Sequence, residues 1–300
     1  MRPNLRAAAI LSLTFAAGAL ASALVLRNTD KRASSPRPEA TVPARVPLPP
    51  EHLGALSLFI LAGQSNMSGR APLPNPLPPA IPGVYIFGND GRWHEGREPV
   101  DFAEDQIDDV SADPGAGAGP AAAFAAALRD KRGGHPIGLV PCAKGGSSLA
   151  EWRRHLGEHT LYGSCLKRAR AASTAGTISG VLFFQGETDA MDPALTAADA
   201  HPNPSHWAAA FQSFVADLRR DLGAPDLPLV FAELGPPPTD GRFPAWERVK
   251  EQQRAVMIPG VARIRTDDLP LQDAVHFGLE GYEAIGKRFA EAMDGLLRRE

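Results

Sequence analysis

Cysteine is nearly absent: Cys142 and Cys165 are the only two in 300 residues. That is too few for a disulfide framework or a thiolate metal site. Outside the cytoplasm the two can pair, and their spacing alone does not decide whether they do. An excess of positive charge is also missing. The formal net charge is -3, and residues 51–300 hold 24 Lys and Arg against 32 Asp and Glu. Nucleic acid binding is driven by Lys and Arg that displace counterions from phosphates, so an acidic body excludes nucleic acid as a partner. No internal repeat is visible. With 44% apolar composition, the chain has enough core-forming material for a substantial globular domain.

The longest uncharged apolar run is Ala7 to Leu26, preceded by Arg2 and Arg6 and closed by Arg27-Asn-Thr-Asp-Lys-Arg32. Residues 1–32 therefore read as an export signal, in one of two forms. The small-residue run Ala17-Gly-Ala-Leu-Ala21 suits a cleaved signal peptide, and the twenty residues 7–26 also suffice for an uncleaved membrane anchor. Residues 33–54 form a linker, whose prolines at 36, 38, 43, 47, 49 and 50 favour extended, solvated chain. The expected location is outside the cytoplasm: periplasmic, secreted or anchored.

From residue 55 to 300, short apolar runs alternate with segments of helical period, the pattern of an α/β domain with a mostly parallel sheet. Expected strands are 56–62, 84–87, 137–141, 180–184, 229–234 and 262–266. Helices are expected over 120–129 and 162–172, along the line Trp207, Phe211, Phe214, Leu218 and Leu222, and along Tyr282, Ile285, Phe289, Met293 and Leu296. Residues 88–119 and 188–205 have neither period and read as long loops. The acidic run in the first, with Asp101, Glu104, Asp105, Asp108, Asp109 and Asp113, reads as a solvated face.

In parallel α/β sheets ligands bind at the carboxyl ends of strands, which directs attention to polar residues just after apolar runs. Gly63-Gln-Ser-Asn-Met67 places Ser65 at such an exit, as a nucleophile or as the cap of the next helix. Gly145-Gly146-Ser147-Ser148 follows another strand, and its paired glycines either present N–H groups to an oxyanion or form a plain turn. Gln185-Gly-Glu-Thr-Asp189 puts a neutral amide at a third exit. Asp273-Ala-Val-His276 spaces a carboxylate so that it can orient an imidazole, fix its tautomer and stabilise its charged form. The other histidines lack such a partner spacing. A metal reading of Asp267, Asp268, Asp273 and His276 fits the residues less well than a triad, so no metal or other cofactor is expected. Trp93, Trp152 and Trp207 are sugar platforms or, more commonly for large aromatics, core.

Together these four blocks resemble the sialate O-acetylesterase domain, also called carbohydrate esterase family six, within the SGNH hydrolases. The resemblance runs from about Leu56 to Ala292. Its Gln64-Ser65 differs from the Asp-Ser of better-known SGNH members, as is usual for this branch, and Phe184 stands where many members carry Trp. It implies a three-layer, flavodoxin-like α/β fold with a central, mostly parallel sheet. It also implies a serine esterase that removes acetyl groups from carbohydrates through an acyl-enzyme. In that scheme Ser65 is the nucleophile, His276 the base and Asp273 its orienting acid. Ser65, Gly145 or Gly146 and the Gln185 side chain form the oxyanion hole, and Gln64, Asn66 and Glu187 give support. The implied partner is an acetylated polysaccharide or sialic acid. The alternatives are a short-chain lipase or thioesterase of the same superfamily and a noncatalytic glycan-binding surface protein.

Overall fold

A computed structural model describes residues 42–104, 106–197 and 200–298. The expected signal or anchor of residues 1–32, and the linker up to residue 41, lie outside the described residues. Among the described residues no helix is long and apolar enough to cross a membrane.

Leu56–Gly63 (β1) is buried at all but one of its positions, as a strand covered on both faces must be. Around it stand Val84–Phe87 (β2), Trp93–Glu95 (β3), Ile137–Pro141 (β4), Gly176–Phe184 (β5), Leu229–Ala232 (β6) and Val261–Ile264 (β7). The sheet order is β3-β2-β4-β1-β5-β6-β7. Every neighbouring pair is parallel except β2 with β3. The helices are Ser65–Ser68 (α1), Ala121–Lys131 (α2), Leu161–Ala172 (α3), Glu187–Ala190 (α4), Trp207–Leu222 (α5), Trp246–Ala255 (α6) and Leu279–Leu297 (α7). Two apolar clusters form, one on each side of the sheet. Phe124 and Leu128 of α2 pack with Ile285, Phe289 and Met293 of α7. Leu166 of α3 joins Phe211 and Phe214 of α5 and Val249 of α6 in the other. This is a three-layer α/β fold with a seven-stranded, mostly parallel sheet.

The chain leaves β1 toward β2, returns to β1's flank as β4, then crosses to β5 on the other flank. The carboxyl end of β1 is therefore a point where the strand order reverses, the place such sheets open a ligand crevice.

Three expectations are corrected. First, the described end of the Pro-rich segment is docked rather than solvated. Val46 N–H donates to the Trp93 carbonyl and Glu95 N–H to that of Ala44, both at 2.9 Å, while the Pro43 carbonyl meets Nδ1 of His94 at 2.8 Å. Proline lacks an N–H but keeps its acceptor, which suits it to this edge of β3. Second, α6 is a helix that periodicity did not reveal, because its buried side includes Lys250 and Gln253 beside Trp246 and Val249. Third, the acidic run is not a solvated face throughout: Asp101 and Asp113 are buried.

Glu98 is buried in the same loop. Burial pushes its carboxyl up to about 7, opposed by N–H groups of Val100, Gly119 and Ala122 that favour the charged form. Between the ordinary 4.5 and about 7, the folded protein keeps a proton that the unfolded chain has released. Its contribution to stability is therefore full at the acid end of that window and lost as pH rises through it. Glu98→Gln is expected to remove that part of the pH dependence, about 3 kcal/mol across the window, read as a flatter plot of Tm against pH.

Candidate active site

The turn after β1 needs a residue without a side chain. Gly63 has φ +125°, and a Cβ there would lie 2.1 Å from the Phe184 carbonyl oxygen at the end of β5. The contact lets Gln64 N–H donate to that carbonyl at 2.8 Å, so the exits of β1 and β5 stand side by side. Ser65 begins α1 directly after. It does not cap that helix; its hydroxyl donates to Nε2 of His276 at 2.8 Å.

His276 arrives from the loop between β7 and α7. Its Nδ1–H donates to Asp273 Oδ2 at 2.9 Å, which fixes the neutral tautomer with Nε2 free to accept from Ser65. Asp273 is held by backbone N–H groups of Val275 at 3.0 Å and His276 at 2.8 Å. Burial works to raise the Asp273 carboxyl, but those N–H groups and the imidazole outweigh it and leave it below the usual value. Burial lowers the His276 pKa below 6.5; the Arg70 guanidinium adds to this, and Asp273 offsets part of it.

The loop carrying His276 is tied to the Ser65 turn through Asn66. Its amide donates to Glu187 Oε1 and, at 2.9 Å, to the Val275 carbonyl, while its oxygen accepts from the Tyr282 hydroxyl at 2.7 Å. Glu187 is fully buried, and burial raises its carboxyl to about 7. It therefore reaches the histidine only through Asn66 and the backbone of Val275. Gln64 turns its side-chain oxygen toward the N–H groups of Gly186 and Thr188, joining the first block to the third.

Two of the expected oxyanion donors have other partners. Gln185 stands at the exit of β5 but is fully buried. Its amide donates to the Ser147 carbonyl at 3.1 Å and to Asp189 at 2.5 Å, and its oxygen accepts from Trp207 at 2.8 Å. With both ends of its amide engaged, it is a bracket between chain segments. Of the two glycines, Gly145 gives its N–H to Asp113 at 2.9 Å. Gly146 is exposed, has φ +76°, and among the described residues its N–H has no partner. The tryptophans divide as large aromatics usually do: Trp152 and Trp207 are core, and Trp93 packs on Phe87 in the sheet.

Sequence reasoning missed a charged pair beneath this site. Arg70 donates to both oxygens of Asp113, at 2.9 and 2.7 Å, and also to the Ser68 hydroxyl and the Gly69 carbonyl. The Arg70 carbonyl accepts from Gln272 at 2.9 Å. Burial would raise Asp113, but Arg70, Ser68 and the Gly145 N–H hold it below the ordinary range. This pair links the Ser65 turn, the glycine loop and the histidine loop. Arg70 sits in the sequence block that carries Ser65, a signal that was available. Asp113 lay in a run of acids with no periodicity to mark it.

Cys142 and Cys165 are joined as a disulfide between the end of β4 and α3, with Cα atoms 5.3 Å apart. Both are buried, so the bridge braces the segment that leads into Gly145-Gly146. Among the described residues no cluster of His, Cys, Asp or Glu is arranged to hold a metal ion.

Residues 55–295 match the family profile described as carbohydrate esterase, sialic acid-specific acetylesterase. A curated relative from Arabidopsis thaliana, named a probable carbohydrate esterase, is 30% identical over 264 residues, covering 82% of this chain and 91% of its own. The X-ray structure of that plant protein superposes with a TM-score of 0.66 at 28% identity, covering 80% of this chain and 98% of that one. A carbohydrate acetylesterase from Xanthomonas citri shares the fold, with a TM-score of 0.61 at 19% identity over 81% of this chain and 57% of that one. Fold and family define the class, a carboxylic ester hydrolase of the SGNH type. Within that class, the chain belongs to the sialic acid-specific acetylesterase family of carbohydrate esterases.

Removing one partner of a buried ion pair leaves the other charge uncompensated. Asp113→Ala is therefore expected to lose about 3 kcal/mol of unfolding free energy in a urea titration, whereas Glu158, whose ion pair with Lys167 is solvent-exposed, should lose at most about 1 kcal/mol when changed to Ala.

Proposed function

We propose that this chain is an exported carbohydrate O-acetylesterase that works through an acetyl-enzyme on Ser65. The observation that carries the reading is the hydrogen-bonded line Ser65–His276–Asp273 at the point where the strand order reverses. Nε2 of His276 takes the hydroxyl proton as Ser65 Oγ attacks the acetyl carbonyl. The same nitrogen then returns the proton to the departing sugar oxygen. Asp273 keeps Nδ1 protonated and stabilises the imidazolium that forms. Water attacks the acetyl-enzyme by the same path and releases acetate.

The oxyanion would be met by the backbone N–H groups of Ser65 and Gly146. A preorganised donor of this kind lowers the barrier by about 3 kcal/mol. Arg70 and Asp113 act on this hole indirectly, by holding Gly145 while its neighbour faces the crevice. Export is supported by the basic and apolar N-terminal sequence, and the Cys142–Cys165 bridge suits an oxidising compartment.

The test is acetate release from a panel of acetylated glycans, with Ser65→Ala as control. Loss of at least about a thousandfold in kcat is expected for the variant, and equal rates for the two proteins would sink the mechanism. Faster turnover of butyryl or hexanoyl esters than acetyl esters would reassign the acyl group.

The base must be neutral to accept a proton, and burial lowers the His276 pKa. The acid limb of kcat/KM should therefore have its midpoint below 6.5, the ordinary histidine value. A midpoint above that value would contradict the role given to the buried imidazole.

A further inference from the structure

Beside the glycine loop lies a cleft of about 480 Å³, a volume in the range that encloses small ligands. Its walls include Lys144, Arg153, His155 and His159, with the carboxylates Asp109 and Glu151. One wall is continuous with the active site: Lys144 N–H donates to the Gly63 carbonyl at 3.0 Å, two residues before the nucleophile, and Gly145 and Gly146 come next in the chain. The far wall is anchored to the same scaffold. Asp189, which holds the Gln185 amide, also accepts from Leu149 N–H at 2.8 Å and from Asn203 N–H at 3.2 Å. The Ser148 hydroxyl donates to the Ala200 carbonyl, next to His201, which also lines the cleft.

The lining mixes apolar surface from Val110, Ala150 and Leu161 with polar groups, and its charges balance. Lys144 and Arg153 stand against Asp109 and Glu151, and none of the four aromatic Trp side chains forms a wall. Balanced charge gives no net attraction for an anion. Mixed donors and acceptors at close spacing match a ring of hydroxyl groups, each of which both donates and accepts. His155 accepts from Gly157 N–H through Nδ1 at 3.1 Å, which leaves Nε2–H as a donor. Its ring meets that of His159 edge to face at 5.3 Å. Arg153 is exposed and has no ion-pair partner among the described residues. His201 has φ +45°, and it is the only non-glycine residue among those described with a positive φ, a conformation that concentrates at ligand sites.

We propose that this cleft binds the sugar unit next to the acetylated one, so that the substrate is a neutral glycan chain rather than a free monosaccharide. This rests on the reading of the chain as a carbohydrate O-acetylesterase. Ser65 deacetylates one unit at the exit of β1, and the chain continues over the glycine loop into the cleft, where Arg153 and the two histidines hold its hydroxyls.

The experiment measures kcat/KM of the full chain on chemically acetylated xylo- and cello-oligosaccharides of one to four units, with an acetylated oligogalacturonate ladder as the charged counterpart. The expected result is a rise of about tenfold or more from one unit to two in a neutral ladder, the loss of a charged hydrogen bond being worth that much. Arg153→Ala combined with His155→Ala and His159→Ala should flatten the rise, carried mainly in KM, while turnover of 4-nitrophenyl acetate is unchanged. A flat neutral ladder in the wild type, a rise that survives in the triple variant, or a preference for the charged ladder would each overturn the proposal.

Failure of the esterase reading is separate, since it would appear as no acetate released from any substrate, 4-nitrophenyl acetate included. In that event calorimetry of unacetylated xylotetraose and cellotetraose with the full-length Ser65→Ala protein decides the cleft. Binding of either that is lost on the triple change supports it, and no binding of both overturns it.

Discussion

The contact between Gly63 and the Phe184 carbonyl is the constraint on which the site depends. A parallel sheet brings strand ends together at its carboxyl edge, but the ends of β1 and β5 approach here more closely than any side chain allows. That approach places Gln64 where its side chain meets the N–H groups of Gly186 and Thr188. It also starts α1 at Ser65, with the hydroxyl directed to the histidine loop. A Cβ at position 63 would separate two of the sequence blocks from which the site is built.

Around that contact the protein buries polar groups in linked pairs rather than singly. Asn66 joins Glu187, Val275 and Tyr282. Gln185 joins Ser147, Asp189 and Trp207. Arg70 and Asp113 join the Ser65 turn to the glycine loop. Each buried donor that finds its acceptor avoids the penalty of an unmade hydrogen bond, and each acceptor belongs to a different stretch of chain. The result is a crevice whose loops have little regular secondary structure yet are held by hydrogen bonds to one another. The disulfide from β4 to α3 adds a covalent brace on the same side.

Much of this was legible in the chain, and the reasons differ by element. The central strands are continuous apolar runs because both faces are covered, so β1, β2 and β4 could be read almost to the residue. The helix α6 could not, because Lys250 and Gln253 occupy its buried side; Lys250 is neutralised by Asp267, and Gln253 brackets Leu234 and Gln185. Asp113 was hidden in a run of acids with no periodicity to mark it, where Asp101 is buried as well. Its partner, Arg70, is 43 residues away, and only the fold brings them together.

The sequence by itself determined the residue types at four strand exits, the Asp273 to His276 spacing and the family to which they belong. These are local properties: a turn, a three-residue step and an apolar run each carry their own signature. The tertiary structure decided which of those residues face one another. It joined Ser65 to His276 across 211 positions, turned the Gln185 amide inward, and engaged Gly145 while leaving the Gly146 N–H without a partner among the described residues. A side chain's role is set by which partner uses its donors and acceptors, and those partners are distant in the chain. From its own block Ser65 could be read only as a nucleophile or a helix cap, and its partners depended on how the loops pack.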